Sequence, residues 1–196
     1  MNPGAKYSRR KFMQITAVAT AAAPMVACMG SLTPWRCLSR DEAGTLEAIC
    51  ERLIPTDQDP GAAWAGVVTY IDRQLTGPYR KLRKTYRSGL AGTNTTSLAM
   101  FGKAFTALAA PQQDSLLQTM DAGQAKGDQW KQVSAKSFFD LVLSHTLQGF
   151  YGDPRHGGNR ERVSWKMLGL PYPPVRGRMT SQRSTDSADS ANQKSA

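Results

Sequence analysis

The chain has 196 residues, 40% of them hydrophobic and 20% charged, with a formal net charge of +10. That suffices for one domain with appendages, and a mean hydropathy of −0.44 excludes a multispanning membrane protein. The first 27 positions carry Lys6, Arg9, Arg10 and Lys11 and no acid, leaving 21 basic against 15 acidic residues, too modest an excess to predict nucleic-acid binding.

Ser8-Arg9-Arg10-Lys11-Phe12-Met13-Gln14 has the twin-arginine pattern, with a hydrophobic residue two places after the second arginine. The alanine-rich run 15–27 that follows is shorter than the roughly 20 apolar residues a span needs, and it has no polar face. Residues 1–27 are therefore read as a Tat-type export signal, with Arg9 and Arg10 as its signature, rather than as fold. Export by this route implies folding before translocation, often with a cofactor loaded in the chain or in a companion. Met25-Val26-Ala27-Cys28 resembles a lipobox with methionine where leucine is usual. Diacylation of Cys28 and ordinary cleavage nearby both remain open.

Residues 28–38 read as a linker, followed by a helical domain over 39–178. Ser39-Arg40-Asp41-Glu42 has the S-x-x-E form of a capping box. Leu46, Ile49, Cys50, Leu53 and Ile54 then recur with helical spacing up to Pro55. A disulfide between Cys37 and Cys50 fails on reach, because Cys50 would lie roughly 16 Å up that helix. Cys37 folds back only about 7 Å, and the remaining gap exceeds the bridging limit. Cys50 is expected as a small buried hydrophobe.

Asp59 before Pro60 predicts the start of a second helix, with Trp64, Val67, Val68, Ile71 and Leu75 as its stripe and Gly77-Pro78 as its stop. The basic run 79–87 reads as a solvated face first and as a docking surface for an acidic partner or lipid second. Residues 88–97 read as a loop. Leu98, Phe101, Phe105 and Leu108 form a third stripe reaching Pro111, which opens a helix with Leu116, Leu117 and Met120. A glycine-containing connection over 121–128 leads to a helix over about 133–148, with Phe138, Leu141, Val142 and His145 on one face. The tail 179–196 has no aromatic residue and reads as disordered. No alternating strand pattern exceeds a few residues, so the fold class is all-α, a compact bundle of five or six helices.

Between 149 and 160 lies Gly-Phe-Tyr-Gly-Asp-Pro-Arg-His-Gly-Gly-Asn-Arg, with Trp165 to Gly169 close behind. A helix stop alone calls for nothing so elaborate. There is no dinucleotide fingerprint, no P-loop and no cysteine spacing for a metal, haem or iron–sulfur site. His145 on an apolar face is a core histidine. His156 has Asp153 or Glu161 as conceivable partners, but Asp before Pro is first a turn-former. Asp57 and Asp59 fall short of a calcium loop and are explained by capping. No catalytic, cofactor-binding or metal-binding residue is assigned. The loop reads as a partner-docking element with Phe150, Tyr151, Asp153, Arg155, His156, Asn159, Arg160 and Trp165.

The segments Glu51-Arg52-Leu53-Ile54-Pro55-Thr56-Asp57-Gln58-Asp59-Pro60-Gly61-Ala62, Val67 to Leu75, Gly149 to Asn159 and Trp165 to Gly169 resemble the gluconate 2-dehydrogenase subunit 3 (gamma subunit) family. The resemblance covers about residues 40–175, and the glycine-rich loop is its most specific part. It implies a non-catalytic small subunit that carries the Tat signal and matures a large flavoprotein of the glucose–methanol–choline (GMC) type. FAD and haem c would then sit in partner subunits, the flavoprotein and a cytochrome c, and none in this chain. The complex would be periplasmic and membrane-associated, oxidising a sugar, sugar acid or polyol. The lipobox-like Cys28 departs from the family pattern. The alternative is a free-standing periplasmic lipoprotein that binds an anionic protein or membrane surface.

Overall fold

The computed structural model describes residues 35–171. The export-signal arginines Arg9 and Arg10, Cys28, most of the expected linker and the tail 179–196 lie outside them. Within them are six α-helices and no strand: α1 (Arg40–Leu53), α2 (Val67–Thr76), α3 (Arg83–Phe101), α4 (Ala110–Asp121), α5 (Ala135–Tyr151) and α6 (Val163–Met167). The all-α bundle is thus as expected.

The start of α1 is the predicted capping box: Ser39 Oγ accepts from Glu42 N at 3.1 Å, and Glu42 Oε2 accepts from Ser39 N at 2.7 Å. Leu46, Ile49 and Cys50 of its stripe are fully buried. Cys37 and Cys50 are free thiols. Cys50 Sγ lies 3.2 Å from Thr146 Oγ1, and burial pushes its pKa up to about 12, the state of an inert packing group.

The second helix begins later than Asp59-Pro60 predicts. Asp57 and Asp59 bond to each other, Asp57 Oδ1 accepting from Asp59 N at 3.0 Å, and the chain doubles back so that Ala62 N reaches Ile54 O at 2.9 Å. The Glu51 carboxylate holds both sides of this turn, accepting from Thr56 N and Ala63 N. Asp59 therefore serves a turn instead of a helix cap. α2 starts at Val67 after Gly66, whose φ of 74° is left-handed. Val67, Val68, Ile71 and Leu75 are buried as the stripe requires, but Trp64 precedes the helix and stays 38% exposed.

The largest departure is α3. Residues 88–97 are helical, not a loop, and the stretch continues to Phe101, where left-handed Gly102 ends it. Gly89, Gly92, Thr93, Thr96 and Ser97 form its buried side. They let the aromatic rings of Phe138 and Trp130 approach the backbone: a Cβ on Gly89 would strike the Phe138 ring, and one on Gly92 would sit 3.0 Å from Trp130. Because Gly102 breaks the chain, the expected third stripe is not one helix. Leu98 is exposed, while Phe105 and Leu108 are buried from the following turn.

α4 and α5 follow prediction, Ser134 capping α5 by accepting from Ser137 N. α5 runs past Gly149 to Tyr151. His145 is buried as expected, its Nδ1 2.8 Å from Tyr86 Oη and its ring stacked on Tyr79 at 4.3 Å. The last residues of the expected linker are part of the bundle. Arg36 N, Cys37 N and Leu38 N donate to the Asp72 carboxylate at 2.7, 2.8 and 3.0 Å, and Asp72 on α2 is itself buried.

Candidate functional site

The glycine-rich segment leaves α5 and folds onto the bundle as two 3₁₀ turns, Pro154–His156 and Arg160–Arg162, before α6. Asp153 caps the first turn, Oδ1 accepting from Arg155 N at 3.0 Å while Oδ2 takes the Arg155 guanidinium at 2.9 Å. Those bonds from Arg155 hold the Asp153 pKa at about 2, well below the ordinary carboxylate value. Asp153 is thus a turn-former clamped by its neighbour Arg155. His156 is exposed.

The loop is fastened from beneath by buried side chains. Asn159, fully buried, donates from Nδ2 to Gly152 O at 2.9 Å and accepts on Oδ1 from Ser164 N at 3.0 Å. Trp165 Nε1 donates to Tyr151 O at 2.9 Å, and Arg160 N donates to Ala65 O at 3.0 Å. Phe150 is fully buried in the core. Gly158 lies against the backbone of Gly149, where a Cβ would strike the Gly149 carbonyl. A close approach of two backbones explains glycine there.

Asn159, Glu161 and Arg162 have φ of 46°, 53° and 62°. Left-handed backbone at a non-glycine residue costs of order 1–3 kcal/mol and persists only where surroundings over-determine it. At Asn159 its two side-chain bonds supply that constraint, and Arg162 N is tied back to Asn159 O at 2.8 Å. Sequence spacing could not reveal this; Asn after two glycines was the only signal, since Asn tolerates the left-handed region.

The eight residues expected to meet a partner lie in the loop and in the helix ends that flank it, Phe150 and Tyr151 closing α5 and Trp165 in α6, and they divide by depth. Phe150, Asn159 and Trp165 are buried and shape the loop. Asp153 is turned to Arg155. Tyr151, Arg155, His156 and Arg160 are exposed. Arg160 also lies over the ring of Trp64, at 5.7 Å from its centroid, so an exposed tryptophan that the sequence placed on a buried stripe belongs to this face.

A profile of the gluconate 2-dehydrogenase subunit 3 family matches residues 40–171. The chain belongs to that family. The matched stretch runs from the capping box of α1 to the end of the loop and α6, so the loop is part of the family domain. The family is that of a subunit of a dehydrogenase complex. No curated protein and no solved structure matches the chain.

A surface groove of about 180 Å³ is lined by Arg52, Leu53, Asp114, Leu117, Gln118, Asp121 and Phe139. Ligand pockets typically enclose roughly 300–1,000 Å³, and the groove's charged pair is already satisfied, Arg52 Nε and Nη2 donating to Asp114 at 2.7 and 2.8 Å. Among the described residues no three His, Cys, Asp or Glu side chains converge, and no helix is long and apolar enough to cross a membrane.

Proposed function

We propose that the chain is a non-catalytic small subunit of a periplasmic GMC-type FAD-dependent dehydrogenase acting on a sugar, sugar acid or polyol. In this reading it carries the Tat signal for the large subunit and assists its maturation. FAD resides in that subunit and haem c in a cytochrome subunit that receives the electrons. Arg9 and Arg10 address the complex to the Tat translocase. The complex is membrane-associated, with Cys28 as a candidate lipid anchor.

The observation that carries this reading is the loop itself. Buried Asn159 is held left-handed by two bonds at the root of the turn that also contains left-handed Glu161 and Arg162, while Tyr151, Arg155, His156 and Arg160 are exposed and Arg160 lies over Trp64. Tyrosine, tryptophan and arginine are enriched among the few residues that carry most of the binding energy of protein interfaces. A rigid loop that presents them loses little entropy on binding.

Co-expression of the flavoprotein subunit with a Tyr151→Ala/His156→Ala chain tests it. Both side chains are exposed, and Phe150, against whose ring Tyr151 rests edge-on, is held in the core independently of it, so the bundle should fold. The expected result is loss of copurification and of periplasmic dehydrogenase activity. Normal copurification and activity would refute the docking role.

A further inference from the structure

A second face of the bundle carries a different chemistry. Asp72 pins Arg36, Cys37 and Leu38 to α2. Arg83 Nε donates to Leu75 O at 2.7 Å, which sets the start of α3 against the end of the same helix. Arg87 lies 3.8 Å from Glu42 in the first turn of α1. These three links bring together the point where the chain joins the bundle, the first turn of α1 and residues 80–87. Arg36, Arg40, Arg80, Lys81, Lys84 and Arg87 are all exposed there. Tyr86, fully buried, turns the opposite side of that stretch into the core. The acids of the neighbourhood are Asp41 and Glu42, with Asp72 buried beneath its three N–H donors.

We propose that this cationic face lies against the headgroups of anionic phospholipids. Two observations favour lipid over an acidic protein. The exposed large hydrophobic residues of the described chain are Trp64, Leu98, Met100, Leu147, Tyr151, Met167, Leu168 and Leu170, and none lies within 36–42 or 80–87, the segments that make this face. Protein interfaces centre on apolar and aromatic anchors, whereas headgroup attraction needs clustered charge alone. The second observation is chain length. Residues 28–35 are all that separates the apolar run 15–27 from Arg36. Eight residues reach no further than about 28 Å even when fully extended. This face is therefore the part of the bundle nearest along the chain to the segment that enters a membrane during export. The inference rests on that reading of residues 1–27, and is independent of the docking loop.

Flotation of the full chain with vesicles tests it, comparing phosphatidylcholine alone with phosphatidylcholine containing phosphatidylglycerol. Wild type should prefer the anionic vesicles, and salt should abolish the preference. In Arg80→Gln/Lys81→Gln/Lys84→Gln/Arg87→Gln the preference should fall by ~100-fold or more, since each basic residue at an anionic surface contributes about a five-fold factor. Residual binding to neutral vesicles reports the apolar run and should not change. Should that variant lose its helical circular dichroism, Lys81→Glu/Lys84→Glu serves in its place with the same expectation. Equal preference in variant and wild type would overturn the proposal. So would a variant that keeps its vesicle preference but no longer copurifies with the flavoprotein subunit.

Discussion

Asp72 shows how much one side chain can fix. Its Oδ1 accepts from Cys37 N and Leu38 N, and its Oδ2 from Arg36 N. Hydrogen bonds to a charged acceptor contribute about 1.5–3 kcal/mol each, and an unmet buried donor costs a similar amount. Asn at this position keeps one carbonyl oxygen for Cys37 and Leu38 but turns an amide donor toward the Arg36 N–H. Asp72→Asn should therefore destabilise the bundle by about 2 kcal/mol, with the loss concentrated at residue 36. Trypsin cuts after arginine, so the folded variant should be cleaved at Arg36 much faster than wild type. Unchanged protection at that bond, read by mass spectrometry, would show that the clasp is not what holds the segment. His145 makes a second prediction at this scale. Burial lowers its pKa below the ordinary 6.5, and Tyr86 and Tyr79 enclose its ring. The unfolded chain then takes up the proton first as pH falls. The stability from a neutral His145 is full above the unfolded value and is lost as pH drops from there toward the folded value. Urea denaturation should show a weaker bundle near pH 5 than near pH 7, and His145→Gln should flatten that part of the difference. A wild-type profile that is flat over this range would contradict the neutral buried state.

At the scale of elements, α3 tests whether helix propensity or packing decides. Gly89→Ala gains up to about 1 kcal/mol of propensity, but its Cβ would strike the fully buried Phe138 ring. Overpacking costs about 1–3 kcal/mol, so the substitution should destabilise. Gly44 in α1 has nothing within 4 Å of an added Cβ, so Gly44→Ala should stabilise by up to about 1 kcal/mol. Denaturation midpoints of the two variants should move in opposite directions; a stabilising Gly89→Ala would mean that the α3–α5 contact yields easily. The same element shows where the sequence is mute. Gly89, Gly92, Thr93, Asn94, Thr95, Thr96 and Ser97 are poor helix formers, and read locally they describe a loop. They are helical because small residues admit Phe138 and Trp130, and because Trp130 Nε1 finds Thr96 Oγ1 at 3.0 Å. Those partners lie more than 30 positions away in the chain. By contrast, the capping box at Ser39, the stripe of α1 and the stop at Gly77 are local signals and are legible. The glycine-rich loop falls between. Its composition marks it as unusual, but which side faces out depends on Asn159 reaching Gly152 and Ser164.

At the scale of the whole molecule, the question is whether the loop is a rigid part of the bundle or a separate, weaker unit. Phe150 and Val163, at either end of the loop, belong to the same hydrophobic core as Leu46, Ile71 and Phe138. Arg160 N bonds to Ala65 O in the turn before α2, so the loop is tied to the first half of the domain as well as to α5. A segment held by shared core residues opens only when that core opens; one held by surface contacts opens at lower cost. The domain should therefore unfold in a single transition, in which loop and bundle are lost together. Trp130 reports the α3–α5 core and Trp165 the loop, both being buried. Trp165 fluorescence, isolated by replacing the other tryptophans with phenylalanine, should coincide with far-ultraviolet circular dichroism along a urea titration. Were the Trp165 signal to change at clearly lower urea, the loop would be an independently fraying element. Its left-handed residues would then be ordered by the partner instead of being ready for it.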